Sequence, residues 1–396
     1  MSHGARILVT DGEQRATLAA VRAWGHAGYR VQVCASRKGA LASMSRYCER
    51  TWIVPNSLDQ PEAFATAILH AATEGCVDVV VPITESAVLA ILPRRAEFKA
   101  AIPFPSLHAF RRICDKRLVA ERAESHGLPA PKQLVIESRE DVETRGIQVQ
   151  FPVVLKPARS VVEEAHGRAK TSVTYASDLS ELSDGLQDLP ESAYPVLLQE
   201  RVMGYGAAIS LLVWNGRVVA AFAHRRLREK PPSGGVSVLR ESIPLDPALL
   251  ERSTRLLADF DWHGVAMVEF KVSTNTGDTY IMEVNGRFWG SLQLAIDAGV
   301  DFPTMLVRCA MGEVVNPVLT YRVGVRSQWE WGDIDHLLAV LRHSPERLAV
   351  PRGTIRKWST LKNVTRTFLG ASRGEIFRVR DPMPFVRETI DWVQRR

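Results

Sequence analysis

The sequence predicts an α/β protein whose first domain is a doubly wound parallel sheet. Short apolar segments alternate with helical patterns from the start of the chain, which is typical of a parallel sheet with helices on both faces. Arg6–Thr10 is an apolar run that ends in the turn residues Asp11-Gly12. Val77–Pro82 is apolar throughout, as buried parallel strands are. We therefore place this domain at about 1–107.

The other elements of the first domain follow from apolar periodicity. Tyr29–Cys34 and Thr51–Val54 read as strands, and Thr17–Gly28 and Pro61–Thr73 have the spacing of helices. No G-x-G-x-x-G sequence follows the first strand, because the turn at Gly12 supplies one glycine only. This argues against a dinucleotide-binding domain.

The composition is that of a globular protein in a reducing compartment. Hydrophobic residues make up 46% of the chain and charged residues 24%. The five cysteines are widely spaced without a C-x-x-C pair, which argues against a zinc cluster and against a disulfide framework. The sequence has neither a signal-peptide pattern at its start nor an apolar run of the about 18 residues that a membrane span requires. We expect a cytoplasmic protein with no membrane span.

The formal net charge of +6 indicates a protein that handles anions. Nucleic acid is one such anion, but the basic residues are spread along the chain without the aromatic spacing of a base-stacking surface. The charge therefore favours a basic enzyme acting on small anions, with no nucleic acid partner. The sequence leaves a homodimer open.

The middle of the chain has the signals of antiparallel strands. Asn215-Gly216 separates two apolar segments and is a strong hairpin signal. Gly264–Lys271 and Thr279–Val284 read as another strand pair around a polar turn. A helix is expected over Cys114–His126, and residues 158–170 read as a polar loop.

Two carboxylates and an amide interrupt the later strand pair. Glu269 lies in one apolar strand, and Glu283 and Asn285 lie two residues apart in the next. Residues i and i+2 of a strand project to the same face, so Glu283 and Asn285 point together and Glu269 joins them if the strands pair. Hard oxygen ligands of this kind suit Mg²⁺, or Mn²⁺ in its place. An unpaired carboxylate in an apolar strand would be costly, which argues against a purely structural role.

The order of these motifs along the chain resembles the ATP-grasp superfamily. Asp115-Lys116 opens a helix, Lys156 ends the apolar strand of Phe151–Pro157, and the Glu followed by Glu-x-Asn-x-Arg comes later. The resemblance implies that Lys116 and Lys156 contact the phosphates of ATP and that Glu269, Glu283 and Asn285 hold the metal. It also implies that the segment Gln199, Glu200, Arg201 and Val202 is the hinge that reads adenine.

The resemblance covers about residues 1–312 and implies an arrangement of domains. A Rossmann-like domain at 1–107, like that of carboxylase-type members, precedes a small or lid subdomain with its linking helix at 108–195. The large subdomain with the metal site follows at 196–312, in the α+β arrangement of the grasp module, and 313–396 is a C-terminal extension whose role the sequence does not give.

Two features depart from the family pattern. The loop at residues 158–170, which would cover the phosphates, has a single glycine, so we expect Arg159, Arg168 or Lys170 to contribute to closure. No acid follows the hinge to bind the ribose hydroxyls; Gly204 and Gly206 there suit close backbone turns.

A basic segment lies between the hinge and the metal strands. Arginine binds carboxylates through two parallel hydrogen bonds, and backbone N–H groups of a Ser-Gly-Gly turn can cradle an anion. We expect this segment to be a loop that binds the acid substrate, with Arg226 and Arg228 next to the reaction and Arg287 stabilising the transferring phosphoryl group. Its remaining expected substrate contacts are Arg225, Ser233, Gly234 and Gly235.

The combined motifs favour a ligase. ATP would activate a carboxylate as an acyl phosphate, which an amine captures, as in the carboxylate–amine ligases of the family. Two alternatives stay open: an enzyme that uses bicarbonate as the acid, as carboxylases and carbamoyl-phosphate enzymes do, and a nucleotide-binding protein without catalysis. The sequence contains no G-x-x-x-x-G-K-[ST], G-x-S-x-G or H-E-x-x-H motif that would favour other chemistry.

Overall fold

The computed structural model describes residues 4–144, 149–345, 347–348, 350 and 356–395. Three units follow one another along the chain: a parallel sheet, a small antiparallel sheet and a larger antiparallel sheet. The mixture of helices and strands agrees with the predicted fold class.

The first unit is a four-stranded parallel sheet in the order β3-β2-β1-β4. Its strands are β1 (Arg6–Val9), β2 (Arg30–Ala35), β3 (Cys48–Ile53) and β4 (Val79–Val81), and its helices are α1 (Arg15–His26), α2 (Pro61–Glu74), α3 (Glu85–Ile91) and α4 (Leu107–Ile113). Ile7 pairs with Val31 on one side and with Val79 on the other. Because the apolar strands are buried on both faces, the sequence predicts this sheet well.

The second unit, which we call the lid, is built on an antiparallel sheet of order β5-β10-β6-β9. Its elements are α5 (Lys116–Ser125), β5 (Gln133–Ile136), α6 (Arg139–Thr144), β6 (Val153–Pro157), β7 (Val161–Glu164), β8 (Gly167–Lys170), β9 (Thr174–Ala176), α7 (Leu179–Gln187) and β10 (Val196–Glu200). The lid sheet has an apolar core of its own, which includes Leu155 and Leu198.

The expectation of an irregular loop at residues 158–170 is wrong. β7 and β8 form a two-stranded hairpin in which Val161 pairs with Lys170. Gly167 begins β8 with a φ of +107°, a conformation that a glycine adopts without strain. A Cβ at Gly167 would lie 2.7 Å from the carbonyl oxygens of Leu58 and Asp59, so the hairpin contacts the first unit closely.

The third unit is a seven-stranded sheet in the order β15-β14-β11-β12-β13-β16-β17. Its elements are β11 (Gly204–Trp214), β12 (Arg217–Lys230), β13 (Val236–Ser242), α8 (Pro247–Asp259), β14 (Gly264–Ser273), β15 (Thr279–Asn285), α9 (Leu292–Ala298) and α10 (Phe302–Ala310). Asn215 and Gly216 have φ values of +50° and +73°, as the predicted two-residue hairpin turn requires.

Residues beyond 312 complete this sheet. The elements there are β16 (Arg326–Gln328), α11 (Glu330–Arg342), α12 (Lys357–Arg366), β17 (Arg373–Gly374) and α13 (Met383–Gln394). β16 pairs with β13, and β17 pairs with β16. The following segment reaches the first unit, where the buried guanidinium of Arg22 donates to Asp381 at 2.8 Å.

A common apolar core joins the first and third units. It contains Trp24 of the first unit together with Phe222, Trp262 and Trp289 of the third. The lid therefore sits on a continuous body, and polar side chains line the space between them. Within the described residues, no helix has the length and apolarity needed to cross a membrane.

Candidate active site

Three side chains of the third unit form a carboxylate cluster, by which we mean Glu269, Glu283 and Asn285. Glu269 of β14 pairs directly with Glu283 of β15. The Asn285 amide donates to Glu269 Oε1 at 3.0 Å and to Glu283 Oε1 at 3.2 Å. Strand alternation and register thus bring together the three residues that the sequence offers as metal ligands.

Lys116 reaches the carboxylate cluster from the N-terminus of α5. Asp115 caps this helix by accepting from the backbone N–H groups of Arg117 and Leu118. The Lys116 ammonium donates to Ser160 Oγ at 2.8 Å and lies 3.8 Å from Glu283 Oε2. Only 7% of the Lys116 side chain is exposed.

Lys156 approaches the same strand from the lid sheet. Its ammonium donates to Gln199 Oε1 at 3.4 Å and to the carbonyl oxygen of Met282 at 3.3 Å. Burial lowers the pKa of Lys156 to about 8, although the nearby Glu283 acts to raise it. The two lysines, 40 residues apart in sequence, meet beside β15.

The two carboxylates of the cluster differ in their electrostatic surroundings. Burial raises the pKa of Glu269, and Arg226 opposes this only in part. Burial also acts to raise the pKa of Glu283, but the charges of Lys116 and Lys156 outweigh it and leave that pKa below its ordinary value. Glu283 is therefore the more readily ionised of the two.

The hinge candidates occupy the end of β10 and the crossing into β11. Gln199 is buried and donates to Gln133 Oε1 at 3.0 Å, whereas Glu200 is exposed. Arg201 lies over the ring of Tyr175 at 4.8 Å from its centroid, and Val202 precedes Gly204. A Cβ at Gly204 would overlap the carbonyl of Val272, so this crossing requires a glycine.

The expected acid-binding loop at Arg225–Arg228 is in fact part of a strand. β12 continues to Lys230 because it pairs with β13 along this stretch. Arg225 donates to Glu241 Oε2 at 2.6 Å, and Arg228 donates to the fully buried Asp333 at 2.7 Å. These ion pairs tie Arg225 to β13 and Arg228 to α11, and neither arginine lines the cavity next to the carboxylate cluster.

Arg226 and Arg287 are the arginines next to the carboxylate cluster. Arg226 makes an ion pair with Glu269 and another with Glu229 at 3.1 Å. Gly206 leaves room for it, since a Cβ there would lie 2.7 Å from Arg226 Cδ. Arg287 donates to Asn285 Oδ1 at 2.8 Å.

The turn at Ser233, Gly234 and Gly235 contributes backbone groups. The Gly235 carbonyl accepts from Arg226 at 3.3 Å, and the Ser233 carbonyl accepts from the hydroxyl of Tyr175 at 3.4 Å. Of the three residues, Gly235 lines the cavity beside the cluster.

A cavity of about 240 Å³ adjoins the carboxylate cluster. Four arginines from distant parts of the chain line it, namely Arg15, Arg226, Arg240 and Arg287. Sequence reasoning missed Arg15 and Arg240. Arg240 interrupts the apolar strand β13, and a charged residue in an apolar strand is the same signal that identifies Glu269. Arg15 is the first residue of an ordinary helix, so no feature of the sequence marks it as a site residue.

One carboxylate holds the two arginines that the sequence did not reveal. Oε2 of Glu375 accepts from Arg240 at 2.6 Å and from Arg15 at 2.7 Å. We call this group (Arg15, Arg240 and Glu375) the acid end of the site. It joins α1, β13 and the segment after β17, so it exists only in the folded protein.

Two buried polar atoms in the cavity wall lack a hydrogen-bond partner within the described part of the chain: Nδ1 of His224 and Nε1 of Trp289. Nε2 of His224 lies 3.2 Å from Ser291 Oγ. Burial lowers the pKa of His224 to about 3, so its imidazole is neutral near pH 7. Such atoms are costly unless a ligand or water satisfies them.

The donor set of the carboxylate cluster fits Mg²⁺ on chemical grounds. It offers carboxylate and amide oxygens, which are the hard ligands that this ion prefers, with space for phosphate oxygens to complete the shell. Among the residues described, no group of three or more His, Cys, Asp and Glu side chains could hold a metal.

A lid sheet and a larger antiparallel sheet that meet over a carboxylate cluster define the ATP-grasp class of protein. Residues 192–331 match the family model described as ATP-grasp in the biosynthetic pathway with Ter operon. The chain has the ATP-grasp fold, and the match of residues 192–331 confirms the resemblance that the order of motifs predicts. No curated protein matches its sequence.

Several solved structures share the fold at low sequence identity. L-amino acid ligase from Bacillus licheniformis has a TM-score of 0.61 at 15% identity, with 80% of this chain and 76% of that chain covered. N5-carboxyaminoimidazole synthetase from Staphylococcus aureus has a TM-score of 0.62 at 14% identity, with 82% of both chains covered. The biotin carboxylase domain of 2-oxoglutarate carboxylase from Hydrogenobacter thermophilus, a dimer with MgADP and bicarbonate, has a TM-score of 0.63 at 15% identity, covering 81% and 73%.

Proposed function

We propose that this protein is an ATP-dependent ligase that activates a carboxylate as an acyl phosphate for capture by an amine. One observation carries the proposal: two buried lysines from the lid and its linking helix meet a carboxylate cluster that adjoins an arginine-lined cavity. Phosphate groups would lie between the lysines and the cluster, and the acid would lie in the cavity.

In this proposal, the phosphate end of the site is Lys116, Lys156 and Glu283. The lysines neutralise phosphate oxygens as point charges, and Gln199 to Val202 hold the adenine. Mg²⁺ or Mn²⁺ on Glu269, Glu283 and Asn285 would neutralise charge on the β- and γ-phosphates. Arg287, which bonds to Asn285, is placed to stabilise the phosphoryl group as it transfers.

The chemistry has two steps. A carboxylate oxygen attacks the γ-phosphorus, the bond from that phosphorus to the bridging oxygen breaks, and ADP leaves. The amine nitrogen then attacks the carbonyl carbon of the acyl phosphate, its C–O bond breaks, inorganic phosphate leaves and the nitrogen loses a proton. The protein contributes mainly by positioning the reactants and balancing charge.

The arginines of β12 have separate roles in this proposal. Arg226 lines the cavity and contacts Glu269, so we assign it to the acid substrate near the reacting atoms. Gly235 borders the same cavity, and the turn from Ser233 supplies backbone groups around it. Arg228 supports α11 through Asp333 and does not act on the substrate.

We also propose the division into domains that the sequence suggests. The chain comprises a preceding α/β domain at 1–107, a lid at 108–195, a large subdomain at 196–312 and an extension at 313–396. The extension contributes Glu375 to the acid end, which gives it a role in the site. A homodimer and a cytoplasmic location remain part of the proposal.

ADP release tests the function. The purified chain is supplied with Mg-ATP and a panel of small acids, with and without amines. We expect ADP only when an acid is present, and more of it when an amine captures the acyl phosphate. ATP binding without ADP release under any combination would favour a non-catalytic role.

Bicarbonate is the second candidate acid. The carboxylase domain among the similar structures holds bicarbonate and MgADP, and the fold likeness extends over 81% of this chain. ADP release that requires bicarbonate and no organic acid would identify this alternative, and bicarbonate-depleted buffer with an organic acid is the matching control.

A further inference from the structure

We propose that the acid substrate is a small molecule with two anionic groups, one held by Arg287 beside the carboxylate cluster and the other by Arg15 and Arg240 at the acid end. This inference rests on the proposed function, which supplies the reacting carboxylate. The second group is a carboxylate or a phosphate, since both bind guanidinium through two parallel hydrogen bonds.

The acid end has more positive than negative charge. Two guanidinium groups, those of Arg15 and Arg240, share a single oxygen of Glu375. Arg240 is 0% exposed and Arg15 12% exposed, so water screens the excess charge poorly. A buried uncompensated cation is costly, and an anionic group on the ligand would compensate it.

A similar arrangement at the surface provides a contrast. Arg225 and Arg326 also share one carboxylate, that of Glu241, but each donates to a different oxygen. These two arginines are 43% and 44% exposed, so solvent balances their charge. A carboxylate shared by two arginines is therefore not by itself a sign of a ligand site. The excess positive charge at the acid end is informative because it is buried and borders the cavity.

Two buried acids, Glu330 and Glu388, lie near the acid end. Burial raises the pKa of Glu330 and raises that of Glu388 to about 7. Glu330 accepts from the backbone of Ile376 and Phe377, and Glu388 accepts from the Trp329 indole. Neither makes an ion pair with Arg15 or Arg240 within the described part of the chain.

Arg287 offers the first anion site in the cavity. Arg287 makes no ion pair with any described carboxylate and lies beside Asn285. Arg226 also lines the cavity and makes ion pairs with Glu229 and Glu269. The cavity thus presents guanidinium groups at two places, Arg287 beside the cluster and Arg15 with Arg240 at the acid end, and the unpartnered Nδ1 of His224 lies in its wall.

The cavity has room for a small dianion. Its volume is about 240 Å³ and it is partly open to solvent, so a four-carbon dicarboxylate fits within it. The open side leaves a path for the amine.

Binding of three matched probes tests the inference. Succinate, 3-phosphonopropionate and butyrate share one carboxylate and a two-carbon spacer, and they differ in the group at the far end. Each is titrated by calorimetry into the full chain with Mg-ADP present. We expect at least one dianion to bind about 10-fold or more tightly than butyrate, because it adds hydrogen bonds to charged groups.

Two variants test whether the tighter binding of the dianion depends on the acid end. Arg15→Gln leaves the Arg240–Glu375 pair in place and should remove most of the dianion's advantage over butyrate. Arg225→Gln is the matched control, since Arg225 also shares its carboxylate with a second arginine but lies outside the cavity, and it should keep the full advantage. Circular dichroism checks that both variants fold.

Equal affinity for all three probes, no binding of either dianion, or an advantage that survives Arg15→Gln would each overturn the inference. ADP release with the same probes separates it from the proposed function. Butyrate that drives ADP release as well as the dianions would leave the ligase standing and reject the second anion site. A dianion that binds through Arg15 without ADP release would support the second anion site and count against the ligase.

Discussion

The phosphate end and the acid end of the site are built in different ways. Lys116, Lys156 and Glu283 come from strand ends and a helix start, and each interrupts or ends a local pattern that the sequence displays. Arg15, Arg240 and Glu375 come from the two ends and the middle of the chain. The first group is specified locally, whereas tertiary assembly creates the second.

This difference separates the part of the site that ATP-binding enzymes have in common from the part that selects the acid of one enzyme. Phosphate groups require the same charges in any enzyme that binds ATP, so short motifs are enough to supply them. The acid differs between enzymes, and its binding groups can be drawn from any element that reaches the cavity. We therefore expect variants at the phosphate end to impair every reaction and variants at the acid end to alter the choice of acid.

The largest effect is expected for Glu283→Gln at the phosphate end. Loss of this carboxylate removes a metal ligand and the partner of Lys116, so ADP release should fall roughly 10³-fold. The melting temperature should change little. Glu164→Gln, at an exposed position of the β7–β8 hairpin, is the control with unchanged rate. Near-normal turnover of Glu283→Gln at limiting Mg²⁺ would remove Glu283 from the metal site.

At the acid end, Glu375→Gln should act first on stability. The change leaves two buried guanidinium groups without an anion, and the free energy of unfolding should drop by about 3 kcal/mol. Glu241→Gln is the matched control because its arginines are exposed, and it should cost about 0–1 kcal/mol. Urea denaturation measures both. An equal loss of unfolding free energy in Glu375→Gln and Glu241→Gln would show that burial does not make the acid end different from the surface arrangement.

Arg226→Lys and Arg228→Lys should separate two neighbours on one strand. Arg226 lines the cavity, so its replacement should raise KM for the acid about 10-fold while ATP affinity stays constant. Arg228 is bound to Asp333, so its replacement should lower the melting temperature and leave KM unchanged. Steady-state kinetics with calorimetry of ATP binding checks both. A raised KM for the acid in Arg228→Lys, with an unchanged KM in Arg226→Lys, would show that Arg228 and not Arg226 binds the substrate.

The smallest effect is a pH dependence at the phosphate end. Lys156 has a pKa of about 8 because it is buried, so it loses its charge as pH rises through that value. Between pH 7 and pH 9 the charged fraction drops from about nine-tenths to about one-tenth, and ATP affinity should fall about 9-fold. Lys156→Arg keeps its charge and should flatten this profile, while Lys156→Met should bind ATP weakly at both values. If the wild-type protein binds ATP equally well at pH 7 and pH 9, Lys156 does not contact phosphate.

The fold could be predicted where local pattern and burial agree. The apolar strand at Val79–Val81, the Asn215-Gly216 turn and the Asp115 cap have local causes that sequence reasoning identifies. The sequence does not predict the β7–β8 hairpin, because its polar residues resemble those of a loop. The sequence also predicts a loop where the basic end of β12 lies, because the partners of its charged residues, such as Glu241, cannot be read from sequence spacing.

The site was predictable to a similar extent. Strand alternation brings Glu283 and Asn285 together, and pairing adds Glu269. No local signal indicates that Arg15 reaches Glu375, since 360 residues separate them. Long-range contacts of this kind follow from how the units pack, and the extension beyond 312 could not be assigned a place from its pattern alone.

Transfer of oxygen from the acid to phosphate tests the central claim most directly. The chain is supplied with Mg-ATP, an amine and the acid labelled with ¹⁸O in its carboxylate, and the released inorganic phosphate is analysed by mass spectrometry. If an acyl phosphate forms, an oxygen of the carboxylate leaves with the phosphate, so each phosphate carries one ¹⁸O atom and the nucleotide product is ADP. Unlabelled phosphate formed together with the amide, or AMP in place of ADP, would contradict activation by phosphoryl transfer.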